Sequence, residues 1–206
     1  MLPSPLFRQF ATAAAVISLA ACAGSKPATA PTPAKNPATD ARVGLKAGLF
    51  NAGEATSNMK VTAKAVSPPG FLGITNSDLA FTVKYAIQGN YNGPVVWDIS
   101  DPSKPVLVTA YTCPASQNDI SVYRNLMFMS AEANNGRTDC LPGGVPDTVS
   151  AIRMRGVRIF DITDIKNPKL LTNVQTCRGS HTHTVLEDPK DKNNVYIYVS
   201  GSSAIR

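Results

Sequence analysis

The fold is indicated by two segments of similar sequence, Val-Val-Trp-Asp-Ile-Ser-Asp-Pro-Ser-Lys-Pro at residues 95–105 and Arg-Ile-Phe-Asp-Ile-Thr-Asp-Ile-Lys-Asn-Pro at residues 158–168. The second segment follows the first at a spacing of 63, and the two share aspartate, isoleucine, aspartate and proline at corresponding positions. Similar segments at a fixed spacing are the sequence signature of a repeat architecture. The chain of 206 residues therefore contains at least two copies of one structural unit.

Each copy predicts a strand, a turn and the start of a second strand. The apolar strand ends at Asp98 or Asp161, and the acid three residues later can accept hydrogen bonds from backbone N–H groups in the turn. The closing proline begins the next strand where no ladder donor is needed. The spacing of the acids is not that of a calcium-binding EF-hand loop. We therefore interpret four acids as turn-capping residues: Asp98, Asp101, Asp161 and Asp164.

Other segments also have the composition of strands. Residues 80–87, 126–129 and 195–199 are rich in β-branched and aromatic residues, and Asn, Asp, Ser or Gly residues bound them. Residues 89–93, Gly-Asn-Tyr-Asn-Gly, predict a hairpin turn because glycine and asparagine tolerate positive φ. No window has a 3.6-residue period long enough for a helix of three turns. The sequence therefore predicts an all-β fold.

The two repeated segments resemble LVIVD repeats, as does the Cys-Arg-Gly-Ser-His-Thr-His-Thr-Val stretch at residues 177–185. LVIVD repeats occur in bacterial secreted or surface β-propellers, so the resemblance implies four-stranded blades over residues 44–206. At a spacing of 63, these residues hold about 2.6 units, whereas closed propellers have ~4–8 blades. We therefore expect a partial β-propeller with about two to three blades of a larger disc of roughly six to eight, in an N-terminal fragment of a longer protein.

The spacing of the repeats points to a long loop. A compact propeller blade has ~40–45 residues, and the extra length here falls in residues 131–155. Loops of this length are usually functional or disordered. This loop is therefore the part of the predicted disc most suited to contacting a ligand.

The first 21 residues are predicted to be an export signal and are set apart from the fold. Arg8 precedes an apolar stretch over residues 10–21 that is too short to span a bilayer. The sequence Leu-Ala-Ala-Cys at residues 19–22 resembles a bacterial lipobox, which implies cleavage before Cys22 and lipidation of that cysteine. Ala23, in place of aspartate, favours the outer membrane. The alternative is an ordinary secretory signal with a cysteine near its cleavage site.

The sequence divides into three parts: the signal peptide at residues 1–21, a tether rich in Pro, Ala and Thr at 22–43, and the repeats at 44–206. The net charge is +6, but no basic stripe indicates a nucleic-acid partner. Three arginines alternate with apolar residues around the second repeat. We interpret them as one solvated or rim face, with contact to an anionic partner as the alternative: Arg153, Arg155 and Arg158.

Three cysteines follow the tether and would lie in an oxidising space after export. A disulfide between Cys113 and Cys140 would clamp the long loop to its blade and stabilise the fold by roughly 3–4 kcal/mol. It would leave Cys177 for a partner beyond the fragment. The alternative is three reduced cysteines in the core.

His181 and His183 are the two histidines of the chain and lie two residues apart on a predicted strand, so we expect both on one side. Such a pair could bind Cu or Zn if it lined the channel of a propeller. The alternative is a structural role, because two imidazoles do not fill a coordination sphere. No Ser-His-Asp order or pair of carboxylates indicates an enzyme class.

Two functions follow from these patterns. The first is a membrane-tethered extracytoplasmic scaffold in the bacterial cell envelope, bound to the outer membrane through a lipid anchor, for a protein or small-molecule ligand that the sequence does not identify. The alternative is a metal-dependent periplasmic enzyme, with Cu or Zn held by histidines in the channel.

Overall fold

The computed structural model describes residues 40–49 and 51–205. The predicted signal peptide and the predicted lipidation site Cys22 lie outside the described residues, as does most of the predicted tether. The chain divides into two compact units, Met1–Asn58 and Met59–Arg206. No helix among the described residues is long and apolar enough to cross a membrane.

The first unit forms turns in the part that the structure describes. The Asp40 carboxylate accepts hydrogen bonds from the guanidinium and from the backbone N–H of Arg42, which hold the pKa of Asp40 below its ordinary value. The N–H of Gly53 donates to the carbonyl oxygen of Lys46. These contacts are local, as expected for a segment without strands.

The described part of the second unit, residues 59–205, is built from ten antiparallel strands. They are β1 (Asn76–Thr82), β2 (Tyr85–Asn90), β3 (Val95–Asp98), β4 (Val106–Ala110), β5 (Ile120–Tyr123), β6 (Leu126–Ala131), β7 (Gly156–Asp161), β8 (Lys169–Gln175), β9 (Thr182–Asp188) and β10 (Asp191–Ser200). Strands β1–β4 form sheet 1, β5–β8 form sheet 2, and β9–β10 form a two-stranded hairpin. Within each sheet, every strand pairs with the next along the chain. The described residues contain no helix, and the predicted all-β class is confirmed.

The prediction of a single strand over residues 80–87 is wrong at its centre. β1 ends at Thr82 and β2 begins at Tyr85, so Val83 and Lys84 form a two-residue turn. Val83 is exposed and has a φ of 43°. Tight hairpins need positive φ in the turn. Valine is not a residue that indicates a positive φ. The sequence pattern therefore continues from β1 to β2 without marking the turn.

The two four-stranded sheets differ in one connection. The short segment 91–94 joins β2 to β3, whereas the much longer segment 132–155 joins β6 to β7. Outside this insertion the sheets match closely: Ala80 pairs with Ile87 in sheet 1, and Ser121 pairs with Phe128 in sheet 2, at a spacing of 41. The spacing of 63 is therefore a compact four-stranded unit plus one insertion. We call residues 132–155 the insertion.

The main core lies between sheet 1 and sheet 2. Its fully or nearly buried members include Ala80, Ile87, Val96, Ile120, Met127, Met129 and Phe160. Tyr111 packs edge-on against Phe160, with ring centroids 5.6 Å apart. Sheet 1 and sheet 2 thus bury one face each against the other, as stacked sheets do.

A disulfide joins Cys113, which follows sheet 1, to Cys140 in the insertion. Both cysteines are buried at the edge of the core, which confirms the predicted pairing. Cys177 is exposed and carries a free thiol. The disulfide closes a loop of 27 residues and fixes the insertion to the body of the unit.

Candidate functional site

The four repeat aspartates cap the turns that follow β3 and β7. Asp98 and Asp161 accept hydrogen bonds from the N–H groups of Ser100 and Thr163, at 2.9 and 2.8 Å. Hydrogen bonds from these side chains and N–H groups hold the pKa of both acids below its ordinary value. The second acids act alike, since the N–H groups of Ser103 and Lys166 donate to Asp101 and Asp164. These contacts are local and stabilise turns.

Neighbouring sheets are joined by a second pair of aspartates. Asp78 accepts a hydrogen bond of 3.2 Å from the N–H of Ile120, which begins sheet 2. Asp119 accepts one of 2.9 Å from the N–H of His183, which lies in the hairpin. The two acids are related by the same spacing of 41 as the sheets that carry them. The spacing of 63 in the repeated segments does not relate these two acids, because the insertion lengthens it, and they align only at the shorter spacing of 41.

His183 is buried in the joint between sheet 2 and the hairpin. Its Nδ1 lies 2.8 Å from Oγ of Ser130 and 3.2 Å from Oδ2 of Asp119. Ser130 also contacts Ser180, with their Oγ atoms 2.8 Å apart. The Nε2 atom of His183 is buried and has no hydrogen-bond partner among the described residues. The imidazole is therefore held through Nδ1 alone, by the hydroxyl of Ser130 and the carboxylate of Asp119.

His181 belongs to a separate cluster at the surface. Its Nδ1 lies 2.7 Å from Oε2 of Glu132, the residue that follows β6. The other carboxylate oxygen of Glu132 accepts hydrogen bonds from Oγ and N–H of Ser202, at 2.6 and 3.0 Å. The His181 side chain is 45% exposed and that of Glu132 is 13% exposed. The carboxylate therefore orients an accessible imidazole.

The two histidines contact different carboxylates. His181 faces Glu132, and His183 faces Asp119. Among residues 40–49 and 51–205, no three or more His, Cys, Asp or Glu side chains form a group that could hold a metal ion. Metal binding at His181 and His183 stays a prediction, which elemental analysis of the exported protein beside a double alanine variant would test.

The two carboxylates make the joint sensitive to acid. Burial alone would raise the pKa of Asp119, but hydrogen bonds from His183 and Thr182 outweigh it and hold the pKa below its ordinary value. Burial alone would also raise the pKa of Glu132, but hydrogen bonds from Ser202 and His181 outweigh it and hold that pKa below its ordinary value. Both carboxylates thus stabilise the joint above an ordinary pKa of about 4, and they lose that contribution as the pH falls through their lowered values.

We expect Asp119→Ala to loosen the hairpin. The substitution leaves the backbone N–H of His183 without its acceptor in a buried joint, which costs about 1–3 kcal/mol, and the imidazole keeps only its contact with Ser130. Hydrogen exchange of the amides in β9 and β10 should speed up at neutral pH. The wild-type chain should show the same change only on acidification below about pH 4. Asp78→Ala is the matched control, because it removes the equivalent bond between sheets 1 and 2. Unchanged exchange in the hairpin of Asp119→Ala would contradict the assignment.

The arginines around the second repeat do not form one solvated or rim face, so that interpretation is wrong. Arg158 is fully buried, Arg155 nearly so, and Arg153 is half-buried. The insertion folds over the positions that strand alternation assigns to solvent. Backbone carbonyl groups take the place of water around the guanidinium groups.

Arg158 holds the insertion to the sheets from inside. Its Nη2 donates to the carbonyl oxygen of Arg137 at 2.9 Å, and its Nη1 lies 3.4 Å from that of Cys113. Burial lowers the pKa of Arg158 to about 10. The side chain therefore stays charged at neutral pH and bonds to the backbone at Cys113 and at Arg137, three residues before Cys140.

Arg153 organises the exposed part of the insertion. Its guanidinium donates to carbonyl oxygens of Asn134 and Thr148, at 2.9 and 2.6 Å, and also to that of Asp147. Arg155 donates to the carbonyl oxygens of Glu132 and Ala204. A groove of about 610 Å³ results. Its lining is Asn134, residues 145–150, Arg153, Arg155, Ala204 and Ile205.

Comparison with known proteins adds no family assignment. No protein-family model matches the chain. A search of the curated proteins also gives no match.

Proposed function

We propose that the chain supplies consecutive blades of an LVIVD-type β-propeller in the bacterial cell envelope, and that this disc is a binding scaffold. The insertion, residues 132–155, is the proposed ligand-binding surface. The observation that carries the proposal is the way the insertion is held. Its disulfide and its arginines fix this long loop in place. The equivalent connection in sheet 1 is a turn of only four residues.

Two features support the propeller arrangement. Each complete sheet is a four-stranded antiparallel meander, as in a blade. The first strands β1, β5 and β9 lie beside one another in order, joined by the bonds from Ile120 to Asp78 and from His183 to Asp119. First strands that face a common centre are the arrangement that a propeller requires.

The insertion has the properties of a preformed binding surface. Arg153 and Arg158 satisfy backbone carbonyls that a free loop would expose to water. The groove presents apolar Val145 and Val149 beside polar Thr148 and Ser150. A loop ordered before it binds loses less conformational entropy on binding, which favours affinity. The ligand is a protein segment or a small molecule that fills this groove.

Photo-crosslinking tests the insertion as the binding surface. A photoreactive amino acid at Val149, which is 91% exposed, should give one discrete adduct in intact cells. The same amino acid at Lys104, an exposed turn residue of sheet 1, is the matched control and should give none. Unlabelled wild-type chain should reduce the Val149 adduct, and a chain with residues 142–150 replaced by Gly and Ser should not. Equal labelling from both positions would refute the proposal.

The proposed location depends on Cys22. The lipobox-like sequence at residues 19–22 and the tether at 22–43 would hold the disc at the outer membrane. We expect the wild-type chain to sediment with membranes and Cys22→Ala to appear in the soluble periplasmic fraction. Cys177→Ser is the control, since its exposed thiol lies in the folded unit. Equal membrane association of all three chains would contradict lipid anchoring.

A metal-dependent periplasmic enzyme is the alternative, and one contact favours it. Glu132 occupies Nδ1 of His181 and leaves Nε2 as the nitrogen that could bind Cu or Zn. A carboxylate behind an imidazole is the usual outer-shell arrangement at metal sites. Among the described residues, however, no group of three or more His, Cys, Asp or Glu side chains that could hold a metal ion includes His181. The scaffold is therefore the function that the geometry supports better.

A further inference from the structure

Two Asn-Gly pairs occur in the chain, Asn92-Gly93 between β2 and β3 and Asn135-Gly136 in the insertion. Asparagine deamidates most easily before glycine, because glycine has no Cβ atom to hinder the approach of its backbone nitrogen to the asparagine side chain. That nitrogen attacks Cγ, and the side-chain nitrogen leaves as ammonia with the proton of the glycine amide. Water then opens the cyclic imide at either carbonyl, which gives aspartate or isoaspartate.

The two pairs occupy the same place in two tight turns. The N–H of Gly93 donates to the carbonyl oxygen of Asn90, and the N–H of Gly136 donates to that of Ala133. In both turns, therefore, asparagine is the third of four residues and glycine is the fourth. A difference in reactivity between the pairs must come from how firmly each turn is held.

Asn92 is held by hydrogen bonds on all sides. Its side-chain nitrogen donates to the carbonyl oxygen of Gly70 at 2.7 Å, and its backbone N–H donates to Oδ1 of the buried Asn90 at 2.9 Å. Its carbonyl oxygen accepts a bond of 2.9 Å from the N–H of Cys113, and the turn bond from Gly93 measures 2.8 Å. The attack requires a rotated side chain and a free glycine N–H, so several of these bonds must break first.

Asn135 lacks these restraints. It is exposed, and its side chain makes no hydrogen bond among the residues that the structure describes. The turn bond from Gly136 to Ala133 is long, at 3.4 Å. Ala133 also has no side chain that could cap the turn as Asn90 does. A surface turn with so few hydrogen bonds opens at little cost in free energy, which releases the glycine N–H for the attack.

We propose that Asn135 is a site of spontaneous deamidation and that the fold protects Asn92 from the same reaction. The inference rests on the two turns and not on the ligand of the insertion. The reaction consumes only water and releases ammonia, so it needs no enzyme. The isoaspartate product has the larger effect on structure, because it places an extra CH2 group in the backbone before Gly136.

The backbone that follows the site has no room for this extra length. Gly136 is buried, and even a Cβ atom there would lie 2.6 Å from the carbonyl oxygen of Met154. The carbonyl oxygen of Gly136 also accepts a bond of 2.8 Å from the N–H of Met154. On the other side, Asn134 is exposed and is tied only through its carbonyl oxygen, to Nε of Arg153 at 2.9 Å. We expect that bond to break, so that Arg153 holds the groove of the insertion less firmly.

Peptide mapping by mass spectrometry of the exported chain, aged in mildly alkaline buffer, tests the site. Asn135 should convert at least about tenfold faster than Asn92, because an opening that costs about 1.4 kcal/mol limits the reaction at Asn92. In guanidinium chloride, where both turns are lost, the two rates should come together. Asn92 that converts as fast as Asn135 in the folded chain overturns the proposal. So does Asn135 that stays intact in the folded chain and converts only in denaturant.

Hydrogen exchange tests the effect on the insertion. Exchange in residues 145–150 should accelerate in the aged wild-type chain. Asn135→Gln is the matched variant, since a glutamine side chain keeps the amide and cyclises far more slowly, and its exchange should not change with age. Asn135→Asp, measured fresh, adds the negative charge without the extra CH2 group and should exchange like the fresh wild type. Unchanged exchange in a chain whose Asn135 is largely isoaspartate would refute the loosening of the groove.

Discussion

Replacing Gly156 by alanine should destabilise the chain by about 3–4 kcal/mol, one of the two largest effects that the structure indicates. Gly156 begins β7 at the end of the insertion, with a φ of 142° that side chains rarely adopt. A Cβ atom there would collide with the carbonyl oxygen of Val174 on β8 and lie 2.9 Å from the N–H nitrogen of Thr176. Backbone strain and loss of strand pairing would therefore add. The midpoint of urea unfolding measures the change.

Gly143→Ala is the matched control for this prediction. Gly143 also has a positive φ, of 96°, but its Cβ would meet no atom within 4 Å. The Gly143→Ala variant should therefore lose only the stability that a positive φ costs a residue with a side chain. Gly93→Ala should behave like Gly156→Ala, because Gly93 is its equivalent in sheet 1 and its Cβ would collide with the carbonyl oxygen of Tyr111. A loss at Gly156 no larger than at Gly143 would show that the crowding has no effect.

Removal of the disulfide should cost roughly 3–4 kcal/mol, because the bond closes a loop of 27 residues and restricts the unfolded chain. The double variant Cys113→Ala, Cys140→Ala measures this without leaving a reactive thiol. Arg158 still anchors the insertion through Arg137, so the sheets should fold while the insertion exchanges its amide hydrogens faster. Urea unfolding and hydrogen exchange report the two effects separately.

Cys177→Ser is the control for the disulfide. Its thiol is free and exposed, and its loss should leave the unfolding midpoint unchanged. Reduction of the wild-type chain should reproduce the double variant. If the double variant lost less than about 1 kcal/mol, the disulfide would not be what holds the insertion in solution.

Much of the fold could be predicted from alternation and turn chemistry. The repeated segments mark β3 and β7 together with their capping turns, since those contacts are local in sequence. The turn at Val83 and Lys84 could not be predicted, because a positive φ at valine is set by the pairing of β1 with β2. The burial of Arg158 was equally hidden. It follows from the insertion folding over β7 rather than from the residues around Arg158.

The candidate site shows the same division. The histidines were visible by type and spacing, but the contacts of His181 with Glu132 and of His183 with Asp119 span 49 and 64 residues. The pairing of Asp78 with Asp119 as equivalent joint residues was concealed by the length of the insertion. Such contacts depend on how sheets stack, and stacking brings together residues that no local period relates.

By itself the sequence determined the all-β class, the repeat, the capping aspartates and the pair of cysteines that can close the insertion. Each of these rests on strand alternation, on turns of a few residues or on the chemistry of one residue type. Only the tertiary structure decided which faces pack between the sheets and which carboxylate each histidine meets. Those outcomes are set by the packing of one sheet against the next, because burial and pairing between distant strands are properties of the assembled sheets.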